Sequence, residues 1–163
     1  MRKSNKKGFT LVELVVVIAI IGVLAAILIP TMMNYVKKSR LKTANSNAKL
    51  VFTTVNNKCA DIVSDGDACS GLTCGVTKAS TFENDSDKVK AAVWEALKDN
   101  GKDGAGYIVV KYDTTDGATG NFAQWQTNEK TADQITGQFP DAKKEVKDAE
   151  GITFGTYSGA ATT

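Results

Sequence analysis

A single carboxylate interrupts the long apolar run near the start of this 163-residue chain. From Phe9 to Ile29 the sequence reads FTLVELVVVIAIIGVLAAILI, in which only Thr10 and Glu13 are plainly polar. A charged side chain in a membrane-length helix costs about 2.5–3.5 kcal/mol at the helix centre and less near its end, so such a residue is by default a functional one. Glu13 is therefore the first candidate functional residue.

The composition excludes every His-dependent active site and a four-Cys metal site, because the chain has no His and only three Cys. Without His, active sites of the Ser-His-Asp and Cys-His types and His-ligated zinc sites are excluded. Three cysteines cannot complete a four-Cys metal site, and the sequence has no Gly-rich phosphate loop. We therefore expect no enzymatic activity, no cofactor and no metal.

The three cysteines, Cys59, Cys69 and Cys74, lie within sixteen residues of one another, and an exported domain would allow a disulfide among them. Three single pairings are possible, each with one thiol left over. We favour Cys69–Cys74, because both lie in an irregular loop that can close without moving an element. Cys59 falls on the core face of a predicted helix, where a free Cys behaves as a small hydrophobe. The two pairings that involve Cys59 remain open.

As a helix, the 21 residues from Phe9 to Ile29 extend about 31 Å, which is enough to cross a bilayer. A cleaved secretory signal also joins a basic start to an apolar stretch, but that stretch is usually only roughly 7–15 residues long. A simple anchor fits the length better and leaves Glu13 unexplained. Bases flank the span on both sides, so the positive-inside rule does not set its orientation.

The residues around Gly8 resemble a known signature. The segment Lys6-Lys7-Gly8-Phe9-Thr10-Leu11-Val12-Glu13-Leu14, followed by the apolar run and Pro30, is similar to the prepilin signature of type IV pilins. In that family a prepilin peptidase cuts after the Gly, here Gly8, at the cytoplasmic face of the membrane. The new N-terminal residue, here Phe9, is then N-methylated. The resemblance also implies that Glu13, with Thr10 beside it, serves in assembly.

A physical reason supports this implied role of Glu13. Cleavage before Phe9 frees an α-amino group in an apolar environment, where a carboxylate on a neighbouring helix can neutralise it. A desolvated charge that lacks its partner is strongly penalised. The resemblance therefore implies that an incoming subunit docks where its Glu13 meets the terminal amine of a subunit already in place. An uncleaved anchor that tolerates a charge is the alternative.

Beyond the apolar run, the pattern predicts that the helix continues to about Ser64. Pro30 removes a backbone hydrogen bond and kinks or breaks a helix, and Gly22 weakens it. Both residues are also tolerated in ordinary membrane helices, whereas the resemblance implies a stretch that loosens in the filament. The motif Ser64-Asp65-Gly66-Asp67 supplies the stop. The amphipathic stripe of the second half consists of Leu41, Ala44, Ala48, Val51, Val55, Cys59 and Ile62.

The expected fold class is α+β and type IV pilin-like, with a long N-terminal α-helix whose C-terminal half packs on a small antiparallel β-sheet head. The expected domains are a leader at 1–8, a transmembrane and polymerisation half-helix at 9–29, an amphipathic half-helix at 30–64 and a globular head at 65–163. The head is predicted to begin with an irregular stretch at 65–85, followed by a helix that is capped by Ser86 and has Val89, Val93, Ala96 and Leu97 on one face. Two strands are predicted at Tyr107–Tyr112 and Phe122–Gln126. A short helix at 141–148, opened by Pro140, and a last strand at Ile152–Tyr157 complete the predicted head.

Charge is unevenly distributed along the chain, whose 20 bases and 18 acids give a net charge of +2. The first eight residues hold four bases and no acid, so the chain without them has 16 bases against 18 acids and a charge of −2. Residues 9–58 hold six bases and only Glu13 as an acid. These bases either form a solvated face or meet acidic heads of neighbouring copies in salt-sensitive contacts. The seventeen acids of residues 59–163 disfavour specific binding of nucleic acid.

The sequence thus predicts the structural subunit, a major pilin, of a type IV pilus for adhesion or twitching motility. Before assembly we expect a single-pass protein of the cytoplasmic membrane with its head outside, and afterwards a cell-surface filament. The partners that the resemblance implies are prepilin peptidase, other copies of the chain, and the pilus assembly platform with its ATPase motor. The alternatives are a pseudopilin of a type II-like secretion or DNA-uptake system and a membrane-anchored carbohydrate-binding surface protein.

One departure from the family pattern concerns the cysteines. Many pilins of Gram-negative bacteria bracket a C-terminal loop with a disulfide, but no Cys follows Cys74 in this chain. The missing bracket suggests a pilin from a Gram-positive anaerobe.

Overall fold

The computed structural model describes residues 8–100, 104–115, 120–129, 134–150 and 152–157, which divide after Val36 into two compact units. Within these residues the elements are α1 (Leu11–Ser64), β1 (Leu72–Lys78), a 3-10 turn (Ala79–Phe82), α2 (Lys88–Leu97), a second 3-10 turn (Lys98–Asn100), β2 (Tyr107–Tyr112), β3 (Phe122–Gln126), β4 (Gly137–Phe139) and α3 (Val146–Glu150). The long helix followed by an antiparallel sheet confirms the predicted α+β, type IV pilin-like class.

In the first unit, the described residues are the few that precede α1 and the first half of that helix. Its side chains are exposed, apart from the half-buried Ala25. The described part of this unit therefore has no core of its own, although almost every side chain in it is apolar.

The C-terminal end of α1 lies where the sequence predicts it. The amide of Gly66 donates to the carbonyl of Val63 at 3.0 Å, and the amide of Asp67 donates to the carbonyl of Ile62 at 3.0 Å. Gly66 has φ +88°, a left-handed conformation that glycine adopts without strain. This pair of bonds is a Schellman motif, which satisfies the last carbonyls of the helix.

The sheet of the second unit is an antiparallel meander in the order β1-β2-β3-β4. Strands β2 and β3 have the predicted bounds, and their register pairs Tyr107 with Gln126 and Ile108 with Trp125. Strand β1 pairs with the other edge of β2, so that Leu72 lies opposite Tyr112. The sheet thus places its most regular hairpin at the centre.

The core of the second unit forms where the apolar stripe of α1 meets this sheet and α2. All seven residues of the predicted stripe are buried, which confirms the helical period read from the sequence. The contact is close at β4, where Gly137 lies directly against the backbone of Ala44. The main apolar partners of the stripe from the other elements are Leu72, Phe82, Val89, Val93, Trp94, Leu97, Ile108, Val110, Ala123 and Trp125.

Two predictions for the first part of the head are wrong. Residues 65–85 contain strand β1, which the sequence pattern concealed because a register shift between Cys74 and Thr77 breaks the two-residue alternation. Helix α2 is capped by Asp87, not Ser86: the Asp87 carboxylate accepts from the amides of Val89 at 2.8 Å and Lys90 at 3.3 Å. Three of the four predicted face residues of α2 are buried, and Ala96 is half-buried.

Two predictions for the last part of the head are also wrong. The helix expected at 141–148 begins later, at Val146, and a three-residue strand, Gly137–Phe139, precedes Pro140. A strand of three residues is too short to show a period in the sequence. Residues 152–157 form turns instead of a strand.

A buried glutamine holds these C-terminal turns in place of strand pairing. The side-chain amide of Gln124 donates to the Thr156 carbonyl at 2.8 Å and to the Gln138 side chain at 3.0 Å. Its oxygen accepts from the amide of Gly155 at 2.9 Å. Because Gln124 is fully buried, each of these bonds replaces a contact with water that the fold has removed.

The last described residue adds an aromatic contact to the same segment. The ring of Tyr157 stacks on that of Phe122, with centroids 4.9 Å apart, and its hydroxyl donates to the Asp141 carboxylate at 2.5 Å. Desolvation, followed by the bond to Asp141, raises the pKa of Tyr157 to about 12. The segment is thus held by noncovalent contacts in a chain that has no cysteine near its C-terminus.

The close contact at β4 predicts that Gly137→Ala destabilises the head. An added Cβ would lie 2.0 Å from the carbonyl carbon of Ala44, so strand and helix must separate. We expect the free energy of unfolding to fall by about 1–3 kcal/mol or more. Urea unfolding of the full chain in detergent, followed by circular dichroism, measures this change.

Gly75→Ala is the matched control, because a Cβ at Gly75 meets nothing within 4 Å. Its effect should stay within about 0.5 kcal/mol. Equal stabilities of the two variants would contradict the close packing of β4 on α1.

Candidate assembly site

The predicted assembly residues Thr10 and Glu13 contact each other at the start of α1. The Thr10 carbonyl accepts the first helical hydrogen bond, from the amide of Leu14 at 3.3 Å. One oxygen of Glu13, Oε2, accepts from the Thr10 amide at 2.8 Å and from the Thr10 hydroxyl at 2.7 Å. The Glu13 amide in turn donates to the Thr10 hydroxyl oxygen at 3.3 Å. These reciprocal bonds form a capping box, which satisfies amides at the start of the helix.

This geometry leaves one side of the Glu13 carboxylate available. Both hydrogen bonds use Oε2, and Oε1 has no hydrogen-bond partner among the residues that the structure describes. Glu13 also forms no ion pair with any of those residues. The carboxylate is therefore oriented by its own helix. It can still accept a hydrogen bond from another molecule or pair with a cation of that molecule.

The predicted processing residues, Gly8 and Phe9, lie just before α1 and are exposed. The side chain of Phe9 is 76% exposed. Residues 1–7 of the predicted leader lie outside the described residues. The peptide bond between Gly8 and Phe9 thus lies outside the helix and between two exposed residues, where it is open to another molecule.

The helix that follows Phe9 has the length and composition of a membrane span. It is the one helix among the described residues that passes both criteria, and none of its most apolar stretch is buried within the chain. An exposed apolar surface of this size is not stable in water. The helix therefore requires lipid or other apolar helices around it.

The helix continues through the two predicted weak points, Gly22 and Pro30. Pro30 has no amide proton, so the carbonyl four residues earlier loses its usual donor. The next residue, Thr31, donates its hydroxyl to the Leu28 carbonyl at 2.9 Å. The described helix is thus unbroken at Pro30, and loosening of this stretch in a filament remains a prediction.

The favoured disulfide between Cys69 and Cys74 is wrong. Cys59 pairs with Cys69, which is one of the two pairings that the sequence left open, and Cys74 is a free thiol. The Cα atoms of Cys59 and Cys69 lie 5.5 Å apart, since the chain reverses direction after the stop of α1. Cys74 lies in β1, where pairing with Val110 of β2 fixes its backbone. Burial raises the pKa of the Cys74 thiol, which disfavours its reactive thiolate form.

The bases in the second half of α1 differ in their surroundings. Lys37 pairs with Glu150 at 3.0 Å, and the ammonium of Lys49 lies 5.8 Å from the centre of the Phe139 ring. Lys38, Arg40 and Lys42 are exposed, and their side chains have no partner among the residues that the structure describes.

Two contacts that shape this region were not predicted from the sequence. The Thr-x-x-Glu pattern of a capping box was readable at Thr10–Glu13, immediately before an apolar run. The pairing of Lys37 with Glu150 joins residues 113 positions apart, and no pattern in the sequence indicates it.

Comparisons with known proteins point to one family. The family of the prokaryotic N-terminal methylation motif matches residues 3–29. A type IV major fimbrial protein FimA of Dichelobacter nodosus is 32% identical over 128 residues, covering 75% of this chain and 74% of that protein. The type IV major alpha-pilin of Moraxella bovis is 31% identical over 132 residues, covering 70% of this chain and 83% of that protein.

Another FimA of Dichelobacter nodosus is 35% identical over 94 residues, but this match covers only 58% of this chain and 60% of that relative. No solved structure matches the chain. For two of these relatives the similarity covers 70–75% of this chain and therefore includes part of the head.

The disulfide assignment predicts different effects of two cysteine substitutions. Cys69→Ser opens a short cross-linked loop and should lower the free energy of unfolding by about 2–3 kcal/mol. Cys74→Ser removes only a half-buried thiol and should have a clearly smaller effect. Alkylation of the unfolded, unreduced chain followed by peptide mass spectrometry should modify Cys74 alone. Modification of Cys59 with Cys74 protected would contradict the assignment.

Proposed function

This chain belongs to the type IV pilins, and on that premise we propose that it is the major structural subunit of a type IV pilus. It is cleaved after Gly8, N-methylated at Phe9 and polymerised through its N-terminal helix into a surface filament for adhesion or motility. In this proposal it is not an enzyme and needs no cofactor.

The observation that carries this proposal is the exposed apolar half of α1. Its side chains from Leu11 to Val36 are exposed apart from the half-buried Ala25, whereas the stripe from Leu41 to Ile62 is covered by the head. A helix that is apolar on all sides is buried in a membrane or among other helices. The two halves thus fit a subunit whose first half lies in lipid before assembly and among other subunits afterwards.

The docking step follows from the capping box. Cleavage after Gly8 creates an amine at Phe9, next to Thr10, and both groups enter an apolar environment. Thr10 holds Glu13 Oε2, and Oε1 is the oxygen that meets the amine of a neighbouring subunit. Because an uncompensated buried charge is strongly destabilising, subunits dock where both charges are paired.

The proposed location and partners follow from the same residues. Before assembly the protein crosses the cytoplasmic membrane once, with the head outside. Its partners are prepilin peptidase, further copies of itself, the assembly platform and the ATPase motor of the pilus, and it binds no nucleic acid specifically. The proposed domains are 1–8, 9–29, 30–64 and 65–163, as expected from the sequence.

The relatives favour this function over the two alternatives. Both broadly matching relatives are named as a major fimbrial protein or a major pilin. A pseudopilin would share the N-terminal helix but would form a short structure, and an anchored carbohydrate-binding protein would not polymerise.

Processing predicts a defined N-terminus. Mass spectrometry of filaments sheared from cells should find a chain that begins with N-methyl-Phe9. Electron microscopy of the same fraction should show long filaments. An intact leader in filament material would contradict processing, and short or absent polymers would favour one of the alternatives.

Substitutions of the capping box should separate the charge of Glu13 from its role in the helix. Glu13→Gln keeps an oxygen that can accept from Thr10, but removes the charge that pairs with the amine. We expect processed protein to accumulate in the membrane while filament yield falls at least about tenfold, as for loss of a buried charge partner.

Thr10→Ala is the matched control for this test, because it weakens the cap and retains the carboxylate. It should reduce filament yield less than Glu13→Gln does. Normal filaments from Glu13→Gln cells would rule out docking by charge pairing.

A further inference from the structure

Two pairs of like charges, one in the second half of α1 and one at its C-terminal end, lack partners within the described chain. Lys38 and Lys42 form the basic pair, and Asp61 and Asp65 form the acidic pair. All four residues are exposed, and none of their side chains forms a hydrogen bond or ion pair with a described residue. Lys58, one turn before Asp61, also forms no ion pair with it.

Both pairs are unfavourable for the isolated helix. Like charges four residues apart repel one another on a helix surface, which applies to Lys38 and Lys42 within α1 and to Asp61 and Asp65 at its C-terminal end. The negative end of the helix macrodipole also disfavours acids, yet Asp61 lies in the last turn of α1 and Asp65 directly follows it, with no base in that turn. Charged residues that destabilise their own helix and have no compensating contact within the chain indicate a contact with another molecule.

The spacing of the two pairs matches. Each Asp lies 23 residues after its Lys, that is Asp61 after Lys38 and Asp65 after Lys42. At 1.5 Å per residue this separation is about 34 Å along a helix. A second, parallel copy shifted by that distance therefore brings both acids level with both bases at once.

The two pairs also lie on opposite flanks of the helix. At about 100° per residue, Lys38 and Lys42 lie roughly 100–140° to one side of the centre of the buried stripe, and Asp61 and Asp65 lie roughly 80–120° to the other side. A filament needs this arrangement, because each subunit must offer one surface to one neighbour and the complementary surface to the next.

We propose that the Lys38–Lys42 flank of one copy binds the Asp61–Asp65 flank of a parallel copy, and that this contact sets the axial stagger between filament neighbours. The inference rests on the proposed function. Each exposed ion pair is weak and is screened by salt, but both recur in every subunit. Other axial alignments of the two copies lose the ion pairs and bring like charges together. The contact therefore acts mainly by selecting one alignment.

Charge reversal with co-expression tests this contact in the full chain. The variant Lys38→Glu with Lys42→Glu has two acidic flanks, and the variant Asp61→Lys with Asp65→Lys has two basic flanks. Each alone should lose filament mass about tenfold or more relative to processed subunit in the membrane. Co-expression should restore filaments that contain both variants, because the acidic flanks of one meet the basic flanks of the other.

The control is Lys144→Glu with Lys147→Glu, which makes the same charge change at exposed positions of the head. Among the described residues it breaks only the exposed ion pair of Lys147 with Glu145, which is worth at most about 1 kcal/mol. It should assemble like the unmodified chain. Reversed variants that assemble as well as this control would overturn the contact. Failure of the co-expressed pair to assemble would also overturn it, and would indicate that the basic flank binds another partner such as lipid headgroups.

A second measurement needs no substitution. Carbodiimide treatment of filaments joins a lysine to a carboxylate in direct contact, and mass spectrometry should find Lys38 linked to Asp61 and Lys42 linked to Asp65. Links from these lysines only to other carboxylates would overturn the proposed stagger. Failure of the proposed function is distinct, because unmodified and control chains would then form no filaments either.

Discussion

The apolar surface of the first half of α1 is the constraint on which the rest of the structure depends. Nineteen large apolar side chains between Phe9 and Val36 are exposed. At about 1.5–3 kcal/mol for each side chain fully removed from water, covering them is worth several tens of kcal/mol. A folded domain is typically stable by only about 5–15 kcal/mol. The free energy available from covering this helix therefore exceeds the net stability that is typical of a folded domain.

In the proposed filament, Glu13 adds a preferred alignment to this nonspecific demand for apolar surroundings. Apolar helices can slide along one another, because dispersion and burial depend little on register. One carboxylate that must find a cation in an apolar environment allows few alignments. The capping box adds orientation, since Thr10 binds one oxygen of the carboxylate and leaves the other open.

The elements with long, regular patterns were predicted correctly from the sequence. The stripe from Leu41 to Ile62, the end of α1 near Ser64 and the strands Tyr107–Tyr112 and Phe122–Gln126 all depend on local periodicity or on a glycine stop. The elements that failed are short or irregular. Strand β1 is interrupted by a register shift, and β4 has three residues, so neither shows a readable period.

The sequence by itself determined the N-terminal motif, the extent of the long helix and the division of that helix into an all-apolar and an amphipathic half, because these properties are encoded within a few helical turns. Only the tertiary structure decided the cysteine pairing, the pairing of Lys37 with Glu150 and the anchoring of the C-terminal turns by Gln124. Each of these contacts depends on where the chain returns to α1 or to the sheet. Such returns are set by packing of the whole head, which local residue patterns do not record.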